Sequence, residues 1–213
     1  MKVKFYMLVG LVSGIFYFES TAQKTVSLQK ENFTTYNRVL SVKDSNHLAI
    51  VHIDAKPSSG VAWLKDINFK NGVIEFDVKG KNVQQQSFVG IAFHGLNDST
   101  YDAVYFRPFN FTSDDAVRKS HSVQYISMPK YEWYYLREKF TGKFEDALTK
   151  AVDPDKWFHA KIVVDKNEVN VYADNDDKPS LSVKTLNNYG AGKIGFWVGN
   201  DSDGDFTNLI IKQ

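Results

Sequence analysis

Period-two alternation dominates this sequence. In Gly72–Lys79 the apolar residues Ile74, Phe76 and Val78 alternate with Glu75, Asp77 and Lys79, the pattern of a strand that buries one face and shows the other to water. Comparable runs occupy Arg38–Lys43, His47–Ile53, Ser87–His94, Tyr101–Phe109, Ser122–Ile126, Trp157–Asp165, Val169–Ala173, Leu181–Thr185, Lys193–Val198 and Phe206–Lys212. Clusters of turn-forming residues separate them, among them Asp44-Ser45-Asn46, Lys70-Asn71-Gly72, Asn97-Asp98-Ser99, Asn175-Asp176-Asp177 and Asn200-Asp201-Ser202-Asp203-Gly204. A strand needs a second apolar layer to cover its buried face, so many short strands with few helical segments predict an all-β, antiparallel two-sheet sandwich.

What must hold such a sandwich together follows from the cysteine count, which is zero. That excludes a disulfide framework, a thiolate zinc site, a thiol nucleophile and a lipid anchor on an N-terminal cysteine. The first 22 residues carry Lys2 and Lys4, an apolar run from Phe5 to Phe18, and small residues at Ser20 and Ala22. This layout predicts a secretory signal cleaved after Ala22 and a periplasmic or extracellular protein. An exported chain without cysteine fits a bacterial origin. Removing Lys2, Lys4 and Glu19 from 26 basic and 25 acidic residues leaves 24 of each, and a neutral chain gives no reason to expect nucleic acid as a partner. No linker or repeat interrupts residues 23–213, which read as one domain. The sequence is silent on oligomeric state.

One stretch leaves the strand pattern, residues 127–156. Pro129 can open a helix there, on which Trp133, Leu136 and Phe140 share one face. Long excursions of this kind in compact domains often carry function. Trp133 is therefore read two ways, as a plug in the core or as part of a binding surface.

Four segments, in order along the chain, resemble the concanavalin A-like lectin/glucanase superfamily. They are Gly72–Lys79; Trp157–Asp165 with the following Val169-Asn170-Val171-Tyr172; Gly192–Val198; and Gly204–Ile211, with its Phe206-Thr207-Asn208-Leu209 run. Within that superfamily the chain is similar to laminin G-like domains and, more nearly, to the 3-keto-disaccharide hydrolase-like domains of exported bacterial proteins. In the latter an Arg-bearing strand precedes a Gln-bearing one, as Val104-Tyr105-Phe106-Arg107 precedes Ser122-Val123-Gln124-Tyr125 here. The resemblance implies a jelly-roll sandwich, with one short helix in the excursion, and a carbohydrate ligand. It also implies that Arg107 and Gln124 stand on neighbouring strands.

A sugar site needs aromatic rings for the apolar face of the ring and fixed polar groups for its hydroxyls. On Tyr101–Phe109, alternation sends Val104 and Phe106 to the core and Tyr105 and Arg107 to the solvent side. His94 shares a face with Gly90 and Ala92, whose small size leaves room for a ligand. The substrate-binding candidates are thus Tyr105, Arg107, Gln124, His94 and Trp133. For each, an ordinary surface ion pair, cross-strand hydrogen bond or packing role stands beside the functional one.

Glycoside hydrolysis generally uses two carboxylates. Glu75 and Asp77 share a strand face with Cβ atoms about 7 Å apart and, with His94, are the catalytic candidates; a solvated strand face explains the carboxylates equally. The laminarinase-type Glu-x-Asp-x-x-Glu motif is broken by Gly80. Glu132, Glu138 and Glu145 are further acids in the excursion. No cofactor is expected. Structural calcium stays open at the oxygen-rich segment Asn200–Asp205, which lacks EF-hand order and reads as a hairpin turn. Three functions remain: hydrolysis of a modified di- or oligosaccharide, glycan binding without catalysis, and a structural or protein-interaction role.

Overall fold

The computed structural model describes residues 23–45 and 48–213; the expected export signal, Met1–Ala22, lies outside them. In chain order the strands are β1 Gln23–Thr25, β2 Phe33–Tyr36, β3 Leu40–Ser45, β4 Leu48–Ile53, β5 Gly60–Phe69, β6 Gly72–Lys79, β7 Val89–Asn97, β8 Thr100–Phe106, β9 Val123–Ser127, β10 Glu145–Asp146, β11 Phe158–Asp165, β12 Glu168–Ala173, β13 Leu181–Lys184, β14 Gly192–Val198 and β15 Gly204–Lys212. Two short α-helices interrupt them, α1 Ala116–Lys119 and α2 Trp133–Lys139.

The strands form two antiparallel sheets. The first runs β13-β12-β11-β6-β15-β4-β3, with β1 also pairing with β15, and the second runs β10-β9-β8-β7-β14-β5-β2. Between them lies the main core, where Phe33, Phe76, Phe196 and Phe206 meet. Phe196 stacks on Phe206 with ring centroids 4.5 Å apart, and each such ring contributes about 1.5–3 kcal/mol by leaving water. With no disulfide, this apolar layer carries the stability that cross-links would otherwise supply.

The alternation read from the sequence holds in the first sheet. On β6, Ile74, Phe76 and Val78 are fully buried while Glu75, Asp77 and Lys79 are half-exposed. A tight turn at Lys166 joins β11 to β12 in register from Asp165↔Glu168 to Ala160↔Ala173. The ten-residue β5 escapes alternation because Gly60–Leu64 are buried on both faces, and a strand covered on both sides has no period-two signal.

The excursion holds one short α-helix, α2, as expected, and two other expectations are corrected. The helix in the excursion starts at Trp133, with Glu132 as its N-cap residue; Pro129 sits instead in a turn after a cis Met128–Pro129 bond. And Asn200–Asp203 is not a hairpin turn: β14 belongs to the second sheet and β15 to the first, so this segment crosses between sheets.

Candidate functional site

The second sheet is buried on its outward face as well. There Val61, Trp63, Ala92, Tyr101, Ala103, Tyr105, Ile126 and Trp197 form a separate apolar cluster, completed by Leu136 of α2. Residues 107–122, which include α1, and residues 128–144, which include α2, enclose a cleft of about 660 Å³ above it, within the size range of ligand sites. Its aromatic lining comprises Phe88, Tyr101, Tyr105, Phe109, Trp133 and Trp197. Trp197 is fixed by a hydrogen bond from Nε1 to Tyr101 Oη, 3.1 Å, and by contact with the Tyr105 ring, centroids 4.8 Å apart. Trp133 stands 48% exposed on the wall, with the Arg137 guanidinium 5.1 Å from its ring centre.

At the floor the polar groups are locked together. Arg107 follows directly on β8 and is 4% exposed. Its Nη1 donates to His121 O at 2.8 Å and its Nη2 to Tyr105 Oη at 2.8 Å; Nη2 also donates to Gln124 Oε1. Tyr105 Oη in turn donates to Gln124 Oε1 at 3.0 Å. Strand register sets this triangle, since Tyr105 stands directly opposite Gln124 across the β8–β9 ladder. The guanidinium also lies over the Tyr105 and Phe88 rings, 4.8 and 5.7 Å from their centres. Burial works against the Arg107 charge, and the Tyr105 and Glu145 anionic forms work for it. Burial likewise pushes the Tyr105 hydroxyl up, so it is a neutral hydrogen-bonding group at neutral pH.

No protein-family model matches the chain, and no curated protein matches it in sequence. Solved structures do. The carbohydrate-binding module CBM66 from Bacillus subtilis matches over 84% of this chain and 93% of its own, with a TM-score of 0.58 at 14% identity. Bacillus licheniformis β-glucanase matches over 91% and 97%, TM-score 0.55 at 12% identity. The exoplasmic/lumenal domain of VIP36, solved with Ca²⁺ and Man3GlcNAc bound, matches over 85% and 83%, TM-score 0.54 at 12% identity. The fold is a concanavalin A-like jelly roll. At such identities the likeness concerns the fold, and function has to be read from the site.

In this jelly roll the cleft sits on the outer face of the second sheet, and of the residues named from sequence, Tyr105, Arg107, Gln124 and Trp133 gather there. Tyr105, Arg107 and Trp133 line it, while Gln124 lies fully buried behind them. Contrary to expectation, Tyr105 and Arg107 do not face open solvent; the excursion covers them. Nor does Gly90 leave room for a ligand. A Cβ there would fall 2.1 Å from Val104 O and 2.6 Å from Tyr105 Cα, so the space is taken by β8.

The other candidates lie elsewhere. His94 is 5% exposed at an irregularity of β7. Its Nδ1 pairs with Asp102 Oδ2 at 2.8 Å and its Nε2 with Lys70 O at 2.7 Å, and its ring stacks on Phe69. Both ring nitrogens are thereby engaged within the protein, and His94 does not line the cleft. Glu75 and Asp77 belong to the outer face of the first sheet. Glu75 takes a hydrogen bond from Lys212 Nζ at 2.9 Å, and Asp77 pairs with His159 Nδ1 at 2.8 Å and accepts from Asn208 Nδ2 at 2.6 Å. The solvated-strand reading of these two carboxylates matches this geometry. Among the described residues no group of three or more His, Cys, Asp or Glu is arranged to hold a metal ion.

Of four further site residues, the sequence left Glu145 as one of three unranked acids and did not single out Arg137, Arg118 or His121. Glu145, buried, receives Arg137 as a fork, Nε–Oε1 2.8 Å and Nη2–Oε2 2.6 Å, and lies 3.6 Å from Arg107 Nη1 and 3.5 Å from His121 Nε2. It reaches this place because β10, two residues long, sets it opposite Gln124. No hydrophobic period marks so short a strand. Arg118, on the one-turn α1, and His121, just after it, come from the segment between β8 and β9, where spacing carries no signal. Burial lowers the His121 pKa against the pull of Glu145, which leaves the ring neutral at neutral pH.

Proposed function

We propose that this chain is an exported glycan-binding protein whose cleft holds a sugar ring against Trp133 and the Tyr105–Trp197 pair. The observation that carries the reading is the pairing, in one cleft, of six aromatic side chains with hydrogen-bonding groups held at fixed positions. That the neighbours in fold include a carbohydrate-binding module, a glucanase and a glycan-bound lumenal domain supports a carbohydrate partner. The charged, apolar and small-residue layout of Met1–Ala22 supports export, with residues 23–213 as the mature domain.

Binding without hydrolysis fits the carboxylates best. Among the described residues Glu132 is the one carboxylate lining the cleft; Glu145 is committed to Arg137 behind the wall. Glycoside hydrolysis generally uses two such groups, one as acid and the other as base or nucleophile. The second reading, hydrolysis of a modified disaccharide, rests on the buried Tyr105–Arg107–Gln124 triangle beside His121, a more enclosed polar cluster than ring stacking requires. The test is to offer the chain lacking residues 1–22 to a broad panel of oligosaccharides and glycosides, measuring retention and product release together. Retention with no released sugar is the expected result. Release of a reducing sugar would replace the first reading by the second, and neither retention nor release would remove both.

A further inference from the structure

The cations of the cleft are all of one kind. The chain has 26 basic side chains, of which Arg38, Arg107, Arg118 and Arg137 are the four arginines. Three of those four line the cleft, and no lysine among the described residues does. The rest of the described surface uses lysine. Arginine differs from lysine in presenting a planar fork that meets a carboxylate or sulfate through paired hydrogen bonds and that stacks on aromatic rings.

Compensation within the protein is incomplete. Burying a guanidinium is costly unless an anion accompanies it. Arg107 is buried, but its hydrogen bonds go to neutral oxygens, and the nearest carboxylate, Glu145 at 3.6 Å, is already held by the Arg137 fork. Buried Gln124 Nε2 has no hydrogen-bond partner. Arg118, exposed on α1, makes no side-chain hydrogen bond or ion pair among the described residues, although it faces the cleft. Against three guanidinium groups the lining sets a single carboxylate, Glu132.

Resting on the reading of the cleft as a sugar site, we infer that its ligand is an acidic glycan: a sugar bearing a carboxylate or a sulfate, with the anionic substituent directed to the Arg107–Arg118 side and the ring laid on Trp133. Arg118 is the free fork, and Arg107 adds a fixed positive charge to the same lining.

The experiment is a retention assay of the chain lacking residues 1–22 on immobilised oligosaccharides in matched sets, each backbone present as the neutral, the uronic acid and the sulfated form. The acidic members are expected to bind about tenfold or more tightly than their neutral counterparts, as charge-assisted contacts allow, and to be released at about 0.5 M salt, where charges are screened beyond a few ångström. The carboxylated and sulfated arms separate the two anions. Arg118→Ala, at an exposed and unpaired position, leaves the thermal midpoint unchanged and weakens acidic binding about tenfold, with a smaller loss for neutral members. Equal or better binding of neutral members overturns the inference and leaves the sugar reading intact. Selective acidic binding that Arg118→Ala does not weaken overturns the assignment of the anion to this side. No retention on any member removes the sugar reading, and this inference with it.

Discussion

The two sheets both turn charged groups outward, but in opposite circumstances. On the first sheet, Glu75, Asp77, His159 and Lys212 form a ladder in which every side chain stays between 18% and 33% exposed. Its charges are matched, two carboxylates against a lysine and a histidine. On the second sheet, Arg107 and Glu145 are 5% and 4% exposed beneath the cleft, and guanidinium groups outnumber carboxylates. Water screens the first set and pays little attention to its details; the second set has only the protein, or a ligand, to answer it. The comparison teaches that an outward-facing strand position is a surface position only if nothing lies over it, and in this fold the segments at residues 107–122 and 128–144 lie over one sheet and leave the other bare.

Removing charges on each side should expose that contrast. The largest effect is expected at Arg107→Ala, which strips the hydrogen bonds from Tyr105 and Gln124 and leaves Glu145 with one cation fewer. A loss of about 3 kcal/mol in urea-induced unfolding is expected, together with loss of glycan retention. A loss below about 1 kcal/mol would show the floor to be screened like the outer ladder. Next comes Trp133→Ala. Its exposure predicts a stability change within about 0.5 kcal/mol, while the lost ring face weakens glycan binding about tenfold, read by titration calorimetry. The reverse split, with stability lost and binding kept, would make Trp133 a plug.

On the bare sheet the expected effects are small. Glu75→Gln removes the Lys212 partner and should change stability by less than about 1 kcal/mol, checked by the same urea titration. The His159–Asp77 pair sharpens the contrast through pH. The Asp77 hydrogen bond raises the His159 pKa against partial burial, so its stabilisation is full below the unfolded value of about 6.5 and fades as pH rises through the folded value. Burial pushes the Asp77 carboxyl up, but the bonds from His159 and Asn208 outweigh it and hold it low; its stabilisation is present above about 3.9 and lost as pH falls through the folded value. The pair therefore contributes most between about pH 4 and 6.5. His159→Gln should lower the thermal midpoint within that window by an amount equivalent to less than about 1 kcal/mol, with a smaller loss on either side of it, and an unchanged profile would remove the pair from the account.

The first sheet was legible in sequence because water on one side imposes alternation: β6, β11 and β12 were found with their buried residues. The second was legible only in part. β7, β8, β9 and β14 are apolar enough to be noticed, yet both faces of β8 and β9 are buried, so alternation named the faces of Tyr105 and Arg107 correctly relative to the core and misjudged what lay beyond them. That Arg107 and Gln124 stand on neighbouring strands was implied by the family resemblance, and the β8–β9 ladder shows it. Glu145 stood unranked among three acids, and Arg118 and His121 were out of reach, because a two-residue strand, a one-turn helix and a loop bring them in and none leaves a periodic trace. The stock of four arginines, by contrast, was countable from the start; only the cleft shows that three of them converge.

The most direct test is a crystal structure of the chain lacking residues 1–22 with a retained oligosaccharide bound. The account predicts a sugar ring against Trp133 in the cleft above Tyr105 and Trp197, with an acidic substituent within hydrogen-bonding distance of Arg118 or Arg107. A sugar bound on the outer face of the first sheet, or an empty cleft with the ligand elsewhere, would contradict it.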